Sequence, residues 1–110
     1  MAQNFRRYLN RNIGTTDVDV LGGAADSNDT LISIRLANVT SSTINVDAYV
    51  KNSTLDYYVI KNAPITSGGS LELIDGGSKI VLQSGDQLFV VSDTASSVDC
   101  IVGAVDDIST

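Results

Sequence analysis

The sequence predicts an all-β domain: an antiparallel β-sandwich or jelly-roll-like barrel of about eight short strands, preceded by an N-terminal arm. Three observations predict it. Of 110 residues, 31 are β-branched (12 Val, 10 Ile and 9 Thr), and such side chains fit a pleated surface but lose rotamer freedom in a helix. Lys and Glu, the usual surface helix formers, number only 3 and 1, while 13 Ser, 9 Gly and 8 Asn supply turns. Short runs of apolar–polar alternation recur between clusters of those turn residues.

The arm comes first along the chain. Residues 1–12 hold Arg6, Arg7 and Arg11 and no acid, so they carry +3, and the other 98 residues hold 4 basic and 13 acidic side chains. The net charge of −6 is therefore a −9 body carrying a +3 arm. Phe5, Tyr8 and Leu9 would form an apolar stripe if the arm turned helical, and a helix that short needs a partner surface. The stretch reads either as a solvated start or as a docking arm on an acidic neighbouring subunit. In the second reading Phe5 and Tyr8 are anchors, and Arg6, Arg7 and Arg11 are fork-shaped carboxylate binders. Direct nucleic-acid binding is not expected, because three arginines on an acidic chain do not make an extended basic surface. The docking reading divides the chain into an arm, 1–14, and a sandwich domain, 15–110.

Alternation then places the strands. Thr15 to Leu21 sets Val18 and Val20 against Asp17 and Asp19. Leu31 to Asn38 puts Ile32, Ile34 and Leu36 on one face and Ser33 and Arg35 on the other. Ile44 to Val50 is the clearest, with Ile44, Val46, Ala48 and Val50 facing in and Asn45, Asp47 and Tyr49 facing out. Leu55 to Ala63, Ser70 to Ile74, Lys79 to Leu82, Gln87 to Ser92 and Val98 to Val105 complete the set. Asp26 to Asp29 reads as a turn rather than a calcium loop, for it lacks the order of an EF-hand. Asp75-Gly76-Gly77 reads as hairpin chemistry. Adjacent Tyr57 and Tyr58 should point to opposite faces, one into the core and one to a surface or interface.

Residues 79–82, 88–91 and 101–105 are apolar on both faces. A strand of that kind lies between layers or has its outer face covered by another chain. In so small a domain the second option is expected, which makes Tyr57, Tyr58, Phe89 and Val91 candidates for an oligomer interface.

Composition excludes much chemistry. With no His there is no Ser-His-Asp or Cys-His nucleophile system and no imidazole metal site. The single Cys100 cannot form an internal disulfide or a zinc cage, and its strand-like flanks suggest buried packing. No apolar run approaches a membrane span, and no signal-peptide pattern follows the first arginines. The acids fall at turns or outward positions, including Glu72, rather than in paired catalytic settings. No catalytic residue, metal ligand, cofactor, membrane contact or small-molecule substrate is therefore expected.

Ile34 to Val50, Asp56 to Ile65 followed by Gly68 to Ile74, and Lys79 to Asp86 with Ser92 to Val98 together resemble small structural proteins of tailed bacteriophages, of the marine and cyanobacterial phage type. The likeness spans residues 30–105 or so and contains no catalytic motif. It implies a virion component made in the host cytoplasm. The expectation is a non-enzymatic accessory subunit forming a symmetric oligomer on the capsid surface or at the neck or tail, in contact with other virion proteins. The alternative is a tail-fibre, baseplate or adhesin-like module binding a host-surface glycan through loops 51–56 and 93–97.

Overall fold

The computed structural model describes residues 4–22, 29–74 and 79–106, and no helix occurs among them. Nine strands run in order: β1 (Asn4–Ile13), β2 (Val18–Asp19), β3 (Asp29–Asn38), β4 (Ile44–Asn52), β5 (Leu55–Ile65), β6 (Ser70–Glu72), β7 (Ile80–Leu82), β8 (Gln87–Ser92) and β9 (Val98–Asp106). The first sheet has the order β1-β9-β3, with β6 and β7 sharing the far edge of β3. There β7 pairs with Asp29–Leu31 and β6 with Arg35–Ala37. The second sheet has the order β2-β8-β4-β5, and every pairing is antiparallel.

If β6 and β7 are taken as two halves of one strand position, eight positions form two four-position sheets. The chain changes sheet at every connection between them except the β4–β5 hairpin. That is the strand order of a jelly roll. Of the expected turn Asp26 to Asp29, residues 26–28 lie outside the described residues and Asp29 is instead the buried first residue of β3; the expected turn 75–77 lies outside them as well.

The core forms where inward positions of the two sheets meet. β3 contributes Leu31, Ile34 and Leu36, β9 contributes Val98, Cys100, Val102 and Ala104, and they face Ile44, Val46, Ala48, Leu88 and Val90 of the second sheet. Ile13, Val20, Ile65 and Leu82 close the rim. Period-2 alternation locates Val20, Ile34, Leu36, Ile44, Val46 and Ala48 among these residues, with one correction in β3. Leu31 pairs with Ala104 and Ser33 with Gly103, so Ile32 is the extra residue of a bulge. The bulge inverts the alternation: Leu31 is fully buried, whereas Ile32 is 40% exposed and leans over Gly103.

A second correction concerns the N-terminal stretch. From Asn4 it is neither a separate arm nor a helix but the edge strand of the first sheet. Asn4 to Asn10 pair without interruption with Asp106 back to Cys100. At the expected domain boundary the chain crosses between sheets, Ile13 O accepting from Ser97 N–H and Gly14 O from Ser92 N–H. The alternation of β1 is masked in sequence because apolar Phe5 and Leu9 lie on its outer face and Tyr8 and Asn10 on its inner face. Tyr8 packs on the core, and Asn10 Nδ2 donates to Val20 O at 2.9 Å.

Polar side chains close the ends and gaps of the sheets. Asn38, at the end of β3, is 2% exposed. Its Nδ2 donates to Ser42 O and Ile65 O, and its Oδ1 accepts from Thr40 N–H and Oγ1–H. Glu72 is more than a solvated outward acid. Where the edge of β3 passes from β6 to β7, its Oε2 accepts from Ile34 N–H at 2.8 Å and Ile74 N–H at 3.1 Å, and its Oε1 from Ser33 Oγ–H. At the other edge, β5 is bent by two bulges against β4. Asn62 sits there at φ 54° with its N–H on Asp47 Oδ1, and Pro64 has no N–H to offer. An edge built in this way resists addition of a further strand.

Candidate interaction surface

The two outer faces of the sandwich hold most of the residues singled out in the sequence, and the register arranges them in rows. On the first sheet one row runs Leu9, Ile101, Arg35, Glu72, and another runs Phe5, Val105, Thr30, Val81. Between them Arg7 stands opposite Gly103, whose missing side chain leaves a dip beside Ile32. Phe5 is 75% exposed, and Leu9, Ile101 and Val81 are at least half exposed. Arg11 follows Leu9 on the same side. A groove of about 290 Å³ opens there, lined by Leu9, Asn10, Arg11, Asp99, Cys100 and Ile101. It lies where β1 bulges between Asn10 and Ile13 and Asn12, at φ 57°, turns its N–H to Asp99 Oδ1. Ion pairs among the described residues join Arg35–Glu72, Lys51–Asp56 and Lys61–Asp47, and none includes Arg7 or Arg11.

The outer face of the second sheet is aromatic and acidic. Tyr58, Tyr49, Phe89 and Asp19 form one row across β5, β4, β8 and β2. The Tyr49 ring lies 5.2 Å from Tyr58 and 5.4 Å from Phe89 between centroids. These neighbours leave Tyr49 only 6% exposed although it faces outward. Its hydroxyl donates to the Asp17 carboxylate. Burial first, and then that carboxylate, raise the Tyr49 pKa above its ordinary value. Lys61 Nζ sits 4.3 Å above the Tyr58 ring and 3.9 Å from Asp47, and Lys51 lies 3.3 Å from Asp56.

The structure thus divides both sets of candidate residues. Of the docking set, Phe5, Arg7 and Arg11 share the outer face, whereas alternation puts Arg6 and Tyr8 on the opposite side of β1. Of the interface set, Tyr58, Phe89 and Val91 share the outer face of the second sheet, and Tyr57 lies on the other side of β5 beside Val50. Neither tyrosine of the pair is core, since Tyr57 is 56% and Tyr58 46% exposed. An edge strand has a neighbour on one side only, so its inward residues stay partly open near the sheet's end. Leu9, Ile32, Val81 and Ile101 join the exposed apolar rows. Their signal was the two-faced hydrophobicity of the strands, but which face stayed uncovered depended on register.

Loops 51–56 and 93–97 lie at opposite ends of the sandwich. Asn52 bonds to Asp86 at one end, and Asp93 N–H donates to Asn45 O at the other. They cannot form one recognition site. Loop 93–97 is also tied internally, through Ser92, Thr94 and Ser97.

Cys100 is 1% exposed, and burial pushes its thiol up from 9.0 to about 12. Native protein is expected to resist iodoacetamide at neutral pH and to react quickly once unfolded; rapid native labelling would contradict the packing. Between pH 9 and 12 the folded chain keeps a proton that the unfolded chain has lost, so stability falls as pH rises through that window. Tyr49 acts in the same direction above its ordinary 10.0. Urea midpoints of wild type and Cys100→Ala at neutral pH and at about pH 10.5 should show a smaller loss for the variant, and equal losses would count against it.

Among the described residues no group of three or more His, Cys, Asp or Glu is placed to hold a metal ion. No protein-family model matches this sequence, and no curated protein does.

Proposed function

We propose that this protein is a non-enzymatic structural subunit of a tailed-phage virion, an accessory component that assembles as a symmetric oligomer on the capsid surface or at the neck or tail. The observation that carries the reading is the outer face of the first sheet. Phe5, Leu9, Ile101 and Val81 lie exposed there beside Arg7 and Arg11, on a domain of only 110 residues. Contiguous exposed apolar surface rimmed by charge marks a protein–protein contact more often than a solvent face. The jelly-roll order supports the setting, since capsid domains use it, but lectins and cupins use it too. Among those hosts the virion is favoured by the resemblance of residues 30–105 or so to phage structural proteins.

The N-terminal segment contributes to docking as a strand of the body: Arg7 and Arg11 present guanidinium forks beside the Phe5 and Leu9 anchors. The decisive experiment is quantitative mass spectrometry of density-gradient-purified particles from lysates in which the chain is expressed at native level. Recovery in the particle band at a constant multiple of the major capsid protein is expected. Recovery only in the soluble fraction overturns the reading.

A further inference from the structure

The spacing of charged and apolar rows is matched between the two outer faces. On the first sheet Arg7 and Leu9 stand two residues apart opposite Gly103 and Ile101, so that Ile101 extends the Leu9 row onto β9, and Arg11 follows in the bulge, lining the groove beside Leu9. On the second sheet the order across rows is Asp47, then Tyr58–Tyr49–Phe89, then Asp56 opposite Lys51. Two residues of strand span about 6.6 Å. Both faces therefore set charge on either side of an apolar row, arginines on the first and, on the second, Asp47 and Asp56, each with a lysine beside it. The wider faces agree in sign, the first having Arg7, Arg11 and Arg35 against Glu72 and Asp99, and the second Asp17, Asp19, Asp47 and Asp56 against Lys51 and Lys61.

We infer that the outer face of the first sheet docks on the outer face of the second sheet of another copy of this chain. Leu9 and Ile101 cover Tyr58 and Phe89, while Arg7 and Arg11 reach Asp47 and Asp56. Each carboxylate has one lysine nitrogen within 4.0 Å, at 3.9 Å and 3.3 Å, and retains lone pairs for a guanidinium. Tyr58 is 46% exposed on the second face, and a groove beside Leu9, Arg11 and Ile101 opens on the first. Sheets packed face to face lie about 10 Å apart, which brings these side chains into contact. The contact joins two different faces, so it propagates head to tail and closes only if the rotation per copy permits. An isologous pairing of two first-sheet faces would instead set Arg7 and Arg11 against their own like charges.

This inference rests on the self-assembling reading above, and its test separates the two. One variant, Arg7→Glu with Arg11→Glu, disables the first face, and another, Asp56→Ala with Tyr58→Ala, disables the second. All four positions are exposed, and circular dichroism with thermal melting checks that both variants fold. Leu9→Asp is a substitute for the first variant should it fail. Light scattering after size exclusion is expected to show concentration-dependent assemblies for wild type and monomers for each variant alone. An equimolar mixture should give a species of twice the monomer mass and nothing larger, since each pair retains one intact contact. If wild type assembles but the mixture stays monomeric, or the second-face variant still assembles like wild type, the face pairing is wrong while the structural role stands. A wild type that stays monomeric at every concentration overturns the pairing, and overturns the structural role as well if the chain is also missing from particles.

Discussion

Truncating Leu31 to alanine is expected to destabilise the fold by about 3 kcal/mol, whereas Ile32→Ala next to it should cost less than about 1 kcal/mol. Leu31 is fully buried between Ala104 and Ile80 in register, so its loss leaves a cavity that the surrounding strands fill only in part. Ile32 stands on the outer face over Gly103, and its removal exposes little that is not already wet. For a chain of this length the first change corresponds to a fall in Tm of roughly 10–15 °C. Urea unfolding of both variants, with unchanged slopes, checks the difference. Equal losses, or a larger loss at Ile32, would place the bulge elsewhere and restore simple alternation through β3.

A loss of about 3 kcal/mol is also expected for Asn38→Leu, although leucine is similar in size and more apolar. The reason is hydrogen-bond accounting. The substitution strips Ile65 O and Thr40 N–H of the side-chain partners they have, while the single Thr40 Oγ1–H, released from Asn38 Oδ1, turns to Ser42 O. A buried polar group left unpaired costs far more than a typical bond contributes. Asn38 also ties the end of β3, in the first sheet, to the end of β5, in the second. Thr40→Val removes only the hydroxyl and should cost about 1 kcal/mol. If Asn38→Leu costs no more than Thr40→Val, the network does not hold the sheets together.

These two sites show how far the sequence could be read. Alternation in residues 44–50 leads directly to buried Ile44, Val46 and Ala48, because the inward set of that strand is not shifted by its partners, whereas 88–91 is apolar on both faces and only pairing decides that Leu88 and Val90 face in. It fails at Leu31 and Ile32, since a bulge is a property of the partner strand's register and leaves no local mark. It fails at Asn38 for a related reason. Beside Thr40, Ser41 and Ser42 it looks like ordinary turn chemistry, and only the arrival of Ile65 from β5 makes it a bridge.

The interaction surface divides in the same way. The surplus of arginine before residue 12, the aromatics beside it and the two-faced apolar strands were all visible. That the basic stretch is a strand of the body was not, because its outward Phe5 and Leu9 break the alternation that betrays a strand. Nor could local pattern show that Tyr49, facing outward, is covered by the flanking rings of Tyr58 and Phe89.

Composition and period-2 patterning by themselves determined the all-β class, eight of the nine strands described and the part of the core that lies beside β2 and on β3 and β4, for these depend on each residue and its near neighbours. Only the tertiary structure decided the jelly-roll order, the place of Asn4–Ile13 at the sheet edge, the bulge at Ile32 and the alignment of Arg7, Leu9 and Arg11 in rows. Those features depend on which strand lies opposite, and the strands that lie opposite one another are mostly distant in sequence, as β1 and β9 are. A sheet is assembled by non-local pairing, so one register shift sends a side chain to the other face without changing a letter of the sequence.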